Sequence, residues 1–349
     1  MKVGILTKHS VPNYGAMLQA YASCAYLNEQ GINTELIDYD QPATTEYYRF
    51  KWTLPPNVNH WLRLKRAADF VRDKQKKCRF HCTGADGLMP HLKDYTHLIT
   101  GSDQVWFTGP VQYYDPMYFL DFSFSHGTKI SYAPSAGGID SFGEFEPRVR
   151  NAVNDIRHLS VRDSNTASLV SKLTGREPTL VVDPTLLHHF KDLVSETPPQ
   201  PEPYLLLFGK IPDSYAKLVA DEAKAQGIRR IVSLQYANAI ATHRVAAPSP
   251  QDWLNHFYHA EKVVTTYFHG SVFAIKFNKP FLSIPTQGRI KKVTSLLADA
   301  GLSDRGFVGE PDLPRAKEKL SAPVDWASAL KGLNTKIDSS KRFLESALS

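Results

Sequence analysis

The side chains in this sequence best suited to chemistry are Arg162, His269, Arg289, Lys291, Lys292, Asn13 and Gln104, all cationic or neutral, together with one carboxylate, Asp103. Such a set fits a small anionic ligand and the movement of a proton. Guanidinium forks match phosphate and carboxylate, and an imidazole changes charge near neutral pH. A divalent cation would want several convergent oxygen ligands, which these residues do not offer. Cys78-x-x-His81-Cys82 has no second Cys/His pair at zinc-like spacing, so no metal is expected. Neither a Gly-x-Ser-x-Gly elbow nor a cysteine-nucleophile signature is present.

The elements that must position these groups can be read around His269. Val263–Thr266 is a β-branched run, Tyr267-Phe268-His269-Gly270-Ser271 follows, and an apolar helical segment leads to Lys279-Pro280 and another strand. This is strand, tight turn, helix, strand. His269 then stands where a sheet edge meets a helix N-terminus, whose outward N–H groups suit anions. The alternative is a buried histidine in an αβ loop. Arg289, Lys291 and Lys292 open the next helix, which stops near Gly301.

The chain opens with a strand over 2–7, a loop containing Asn13-Tyr14-Gly15, a helix to about Glu29 and a strand over 33–39. The loop lies at the carboxyl end of the first strand, where open α/β sheets bind ligands, although the Gly-x-Gly-x-x-Gly fingerprint is absent. A strand ending at Gly101 delivers Ser102, Asp103 and Gln104 beside Trp106. A sugar can be held that way, with hydroxyls on Asp and Gln and a ring face on indole. Equally, Asp103 could simply cap a helix. The aromatic run from Tyr113 to Phe124 reads as packing before a carbohydrate platform. Arg162 ends a short strand, as an anion clamp or as an ion pair with Asp163 or a neighbour.

At 349 residues, with 42% hydrophobic and 22% charged residues, the chain predicts a two-domain soluble protein. Four prolines lie between Pro198 and Pro203 and mark a linker. The expected division is an N-terminal Rossmann-like domain over 1–197 and a C-terminal one over 204–323, with a helical tail over 324–349 packing back across both. The sheets would face a cleft. Sparse cysteines, no signal-like leader and no apolar run long enough to span a bilayer predict a cytoplasmic protein.

Net charge is +6, of which ten Lys/Arg against Asp69 and Asp73 place +8 between Arg49 and Arg79. Trp52, Trp61, Leu62 and Phe70 are interleaved with these charges. The segment is a solvated helix face or a surface for anionic lipid headgroups at the inner face of a membrane. Nucleic acid is not the expected partner.

Taken together, several motifs resemble the polysaccharide pyruvyl transferase family. They are Asn13-Tyr14-Gly15-Ala16-x-Leu18-Gln19-Ala20, Gly101-Ser102-Asp103-Gln104-Val105-Trp106, Tyr118-Phe119-Leu120-Asp121-Phe122, Ile130-Ser131-Tyr132-Ala133, Ser160-Val161-Arg162-Asp163, Asp183-Pro184-Thr185-Leu186-Leu187 and Phe268-His269-Gly270. They run in the family's order over almost the whole chain. The resemblance implies a GT-B-like fold. It also implies transfer of the pyruvyl group of phosphoenolpyruvate, as co-substrate and without a cofactor, onto two hydroxyls of a sugar in a cell-surface polysaccharide or lipid-linked precursor, forming a cyclic ketal.

Carried onto this chain, the resemblance implies donor contacts from Arg162 and His269, with Tyr267, Gly270, Ser271, Arg289, Lys291 and Lys292 on the donor side. Asn13, Tyr14, Gly15, Ser102, Gln104 and Trp106 fall on the acceptor side. His269 would relay the proton and Asp103 could accept one from a sugar hydroxyl. Many members carry Arg two residues before the His. Here that position is Tyr267, and Arg289, Lys291 or Lys292 is expected to replace the lost cation. A nucleotide-sugar glycosyltransferase and a non-catalytic glycan-binding protein are the competing readings. Against the former, no acidic residue follows Glu261 until Asp299, where many such enzymes hold the nucleotide ribose.

Overall fold

Among the described residues every strand runs parallel to its partners, and the two main sheets share one strand order. The structure is a computed structural model that describes residues 1–41, 58–109 and 114–349. Arg49, Lys51, Trp52 and Tyr113 lie outside the described residues. Two units are distinguished, one drawn from Met1–Asn57, Ala67–His189 and Lys336–Ser349, the other from Val58–Arg66 and Phe190–Thr335.

In unit 1, β1 (Lys2–Leu6), β2 (Asn33–Tyr39), β3 (Lys77–Cys82), β4 (His97–Thr100) and β5 (Thr128–Ser131) assemble in the order β3-β2-β1-β4-β5. A strand covered on both faces must be apolar nearly throughout, and β1 is buried from Val3 to Leu6. Helix α1 (Tyr14–Glu29), which follows β1, is apolar on all sides and buried over most of its length. The order in which strands are added to the sheet reverses between the parallel neighbours β1 and β4, so loops leaving their carboxyl ends open a crevice. Further along, α2 (Val58–Lys74), of which only the part from Ala67 counts with unit 1, precedes β3, α3 (Glu146–Asn154) follows β5, and α4 (Ser164–Thr174) joins the small pair β6 (Ser160–Val161) and β7 (Thr179–Leu180).

Unit 2 repeats the plan. β8 (Tyr204–Phe208), β9 (Arg230–Leu234), β10 (His243–Val245), β11 (Lys262–Thr265) and β12 (Phe281–Ser283) lie in the order β10-β9-β8-β11-β12. All five residues of β8 are buried. Around them pack α5 (Asp213–Ala225), α6 (Pro250–His259), α7 (Phe268–Lys276), α8 (Ile290–Asp299) and α9 (Leu313–Ser321). Leu205, Val219, Val264, Leu282 and Leu320 belong to one core cluster there. The Pro-rich stretch 195–203 forms neither helix nor strand, and the backbone N–H of Ser195 donates to Asn255 Oδ1 of α6 at 2.7 Å. A last helix, α10, covers Lys331–Ala347. No helix among the described residues is long and apolar enough to cross a membrane.

Candidate functional site

In unit 1 the residues after β1 and β4 are locked together before any ligand arrives. Thr7 Oγ1 donates to the Ser102 carbonyl at 2.9 Å, and Gln19 Nε2 on α1 donates to Thr7 Oγ1 and to the Lys8 carbonyl. Gly101 has φ 102°, and a Cβ there would lie 2.4 Å from the Tyr132 carbonyl oxygen, so only glycine fits. Asp103 follows with φ 69°, in the left-handed region few non-glycine residues adopt, which turns its carboxylate out of the strand direction. Its carbonyl accepts from the N–H groups of Val105 and Ser135.

Arg162, at the end of β6, donates from Nη1 to Asp183 Oδ2 at 2.7 Å and brings Nη2 to 3.6 Å from Asp103 Oδ1. Its side chain is 3% exposed. Burial opposes the charge, but Asp183, Asp103 and Asp163 outweigh it and hold the guanidinium above its ordinary pKa. The second oxygen of Asp183 accepts from the Thr185 N–H and hydroxyl. Asp163 is spent on capping α4 through Thr166. The ion pair that one reading of Arg162 foresaw therefore forms with Asp183 and Asp103.

The acceptor-side residues separate by exposure. Asn13 is exposed and caps α1, with Oδ1 accepting from the Ala16 N–H at 3.5 Å. Gln104 is half-buried, while Tyr14, Gly15 and Ser102 are buried. Trp106 is 0% exposed, donates its indole N–H to the Tyr118 carbonyl and stacks on Phe119 at 5.4 Å. An indole packed on all sides has no ring face left for a sugar, so Trp106 belongs to the core.

Lys8 is the unit 1 residue that motif reading passed over. It lies two positions beyond β1, and burial pulls its amine down to about 8, against the opposing influence of Asp103 and Asp115. Asp115 is itself pushed up by burial, although the Tyr39 hydroxyl donates to it at 2.8 Å. A lysine in an ordinary ligand loop carries no mark of this in the sequence, because the effect arises from burial.

In unit 2, β11 delivers Tyr267 as the N-cap of α7 and His269 into its first turn, where His269 is 8% exposed. Thr265 Oγ1 donates to the Phe208 carbonyl and accepts from the Tyr267 N–H, fixing the strand-to-helix turn. Gly270 lets the helix come down on the sheet, since a Cβ there would fall 2.0 Å from Thr265 Oγ1. Ser271 is 0% exposed and its hydroxyl lies 2.8 Å from that of Ser283, so it ties α7 to β12.

The next loop supplies the cations. Arg289, N-cap of α8, sets its guanidinium 4.0 Å from the Tyr267 ring centre and donates to Thr286 Oγ1. Lys292 Nζ lies 5.6 Å from the centre of the Phe268 ring, and Lys291 is exposed. Tyr236, which no motif pointed to, donates its hydroxyl to that of Tyr267 at 2.5 Å and so fixes the ring under Arg289. A helix N-terminus, an imidazole and a guanidinium on an immobilised ring form an arrangement able to hold an anion and exchange a proton with it. Among the described residues no group of three or more His, Cys, Asp or Glu could hold a metal ion.

The family model for polysaccharide pyruvyl transferase matches residues 13–288. No curated protein sequence matches. Among solved structures, UDP-GlcNAc 2-epimerase from Neisseria meningitidis bound to UDP-GlcNAc aligns at TM-score 0.58 with 10% identity, over 100% of this chain and 99% of that one. A UDP-N-acetylglucosamine 2-epimerase aligns at TM-score 0.55 with 11% identity over 99% and 95%. A putative UDP-N-acetylglucosamine 2-epimerase from Listeria monocytogenes aligns at 0.50 with 12% identity over 98% and 90%. At these identities the likeness is one of fold, two Rossmann-like sheets of GT-B type, as the sequence predicted.

Proposed function

The chain belongs to the polysaccharide pyruvyl transferase family, and from that premise we propose that it transfers the pyruvyl group of phosphoenolpyruvate onto two hydroxyls of one sugar, in a cell-surface polysaccharide or its lipid-linked precursor. The product is a cyclic ketal and inorganic phosphate. The observation that carries the donor assignment is the cluster at the N-terminus of α7. His269 lies in its first turn, and Arg289 supplies a cation over Tyr267, the position at which the family resemblance implies an Arg in many members.

In this scheme His269 protonates the methylene carbon of the donor, leaving its C2 electron-poor. A sugar hydroxyl attacks C2, and a second hydroxyl displaces phosphate to close the ring. Arg289, Lys292 and the helix N-terminus bind the donor's carboxylate and phosphate and favour departure of the latter. On the acceptor side, Asn13, Gln104 and Asp103 meet the sugar. Arg162 is a positioning residue, since its guanidinium is engaged by Asp183 and Asp103 and holds the latter in place. The chemistry draws on cationic side chains and needs no metal ion. The enzyme would work in the cytoplasm, and a peripheral contact with the membrane through α2 would bring it to lipid-linked acceptors. Val58, Trp61 and Leu62 are exposed there beside basic residues.

Thermal-shift titration with phosphoenolpyruvate against UDP- and GDP-sugars tests the donor. A shift with phosphoenolpyruvate alone supports the reading; a shift with a nucleotide sugar alone points to a glycosyltransferase and overturns it. His269→Ala is expected to lose about 10²–10⁴-fold in phosphate release with a sugar acceptor. Near-normal turnover would remove the histidine from the scheme.

A further inference from the structure

Lys8 stands at the switch point of the unit 1 sheet, and the scheme above leaves it without work. β1 and β4 are neighbours whose connections leave in opposite directions, and ligands of open α/β sheets bind at such a reversal. Lys8 follows the end of β1 and Asp103 follows the end of β4, and the bond from Thr7 to the Ser102 carbonyl holds the two loops in register. Gln19, itself 0% exposed, fixes the Lys8 carbonyl. The backbone of Lys8 is thus set before substrate binds, as a reacting group requires.

Lysine is rarely this buried, at 9% exposure, without a partner or a task. The charged groups around it come from separate segments: Asp103 from the loop after β4 and Asp115 from the segment before Tyr118. Behind Asp103 stands Arg162 with Asp183, and the Tyr39 hydroxyl donates to Asp115. His9, next in the chain, faces away to Asp38 and the Thr7 carbonyl. With Lys8 charged, two cations, Lys8 and Arg162, meet four carboxylates, Asp103, Asp115, Asp163 and Asp183, and loss of the Lys8 proton is opposed by Asp103 and Asp115 and favoured by burial. Burial wins, and the amine ends near 8, within reach of the pH at which a base must act.

We propose that Lys8 is the catalytic base on the acceptor side, taking the proton of the attacking sugar hydroxyl while Asp103 orients that hydroxyl. This rests on the pyruvyl-transfer reading and assigns one step of it. The O–H bond of the first hydroxyl breaks, its proton passes to the neutral Nζ, and the oxygen lone pair forms the bond to the protonated donor's C2. The second hydroxyl bonds to the same carbon as the C–O bond to phosphate breaks, and its proton leaves with the phosphate. Lys8 returns its proton to solvent, from which His269 regains the one it gave to the methylene carbon.

The test uses Lys8→Met and Lys8→Arg in the full chain, with phosphoenolpyruvate and p-nitrophenyl hexopyranosides as donor and acceptor probes. Both variants are expected to keep the thermal shift with phosphoenolpyruvate and a KM for it within about 2-fold, while kcat falls about 10²–10³-fold. The wild-type rate should follow a bell-shaped pH profile, because Lys8 must be neutral and His269 protonated, and Lys8→Arg should lose the limb that reports the base. Full turnover by Lys8→Met overturns the proposal and leaves pyruvyl transfer standing. Absence of ketal product from the wild type, with no shift from phosphoenolpyruvate, overturns pyruvyl transfer itself. Independently of turnover, protein labelled with 13C,15N-lysine should show two Nζ titrating near 8, those of Lys8 and of Lys276, which burial also draws down, and Lys8→Met should remove one of them while Lys276→Met removes the other. Titration of the Lys8 resonance above about 10, the ordinary lysine range, also overturns the proposal.

Discussion

The guanidinium of Arg289 lies 4.0 Å from the centre of the Tyr267 ring, although the two residues come from different loops of unit 2. Tyr267 thus serves as an aromatic platform, with a cation brought onto it from the start of α8. Arg289→Ala should raise KM for phosphoenolpyruvate at least about 10-fold, the effect of losing one charge-assisted contact. Tyr267→Phe keeps the platform and loses only the hydroxyl contact with Tyr236, so it should stay within about 3-fold. Steady-state kinetics on both variants check the pair, and equal effects would remove the stacking argument.

Arg162 compensates two buried carboxylates, and its removal strands them. Arg162→Met is expected to lower stability by about 3–5 kcal/mol, as when one member of a buried ion pair is deleted. Arg162→Lys should recover part of the loss, because it restores the charge without the bidentate fork. Urea denaturation of the three proteins measures this. A loss near zero would show that Asp183 and Asp103 do not depend on the guanidinium.

Lys8 should cost stability where it is charged. Its amine is drawn down by burial from 10.5 to about 8, so between those values the unfolded chain binds a proton that the folded one does not. Stability should then rise with pH from about 8 to 10.5, and below pH 8 the full cost applies. Lys8→Met should be more stable than wild type at pH 7 by up to about 3 kcal/mol. The advantage should shrink as pH approaches 10.5. Thermal melts of both proteins across pH 6–10.5 give the sign directly.

Much of the architecture is legible in the chain because it is local. Tyr204–Phe208 reads as a buried strand from five apolar residues, and the prolines of 195–203 exclude a regular element. β10 escaped because His243 and Arg244 are exposed, and such a strand carries no hydrophobic pattern. The site is less legible because its meaning is non-local. The partner of Arg162 is Asp183, on a separate segment, while adjacent Asp163 caps a helix. Trp106 sits beside polar residues in sequence yet in the core in space, and the chemistry of Lys8 arises only from what surrounds it.

The exposed face of α2 supplies a test of location. Val58, Trp61 and Leu62 are 69%, 53% and 40% exposed and fall on one side of the helix at i, i+3 and i+4, with Lys65 a turn further on. Flotation should recover the protein with vesicles rich in phosphatidylglycerol and leave it behind with phosphatidylcholine alone. Trp61→Ser with Leu62→Ser should abolish recovery without changing phosphate release from a soluble acceptor. Binding unchanged in the double variant would exclude this face.

The repeated strand order has an evolutionary corollary. Each sheet sends loops from the same two strand ends, so under the proposed pyruvyl transfer the residues assigned to the sugar (Asn13, Asp103 and Gln104) and those assigned to the donor (His269, Arg289 and Lys292) are written on opposite sides of the proline-rich stretch. Recombination there could pair an inherited donor half with a new sugar-reading half, and hybrids cut at that point are the natural place to look for altered glycan decoration.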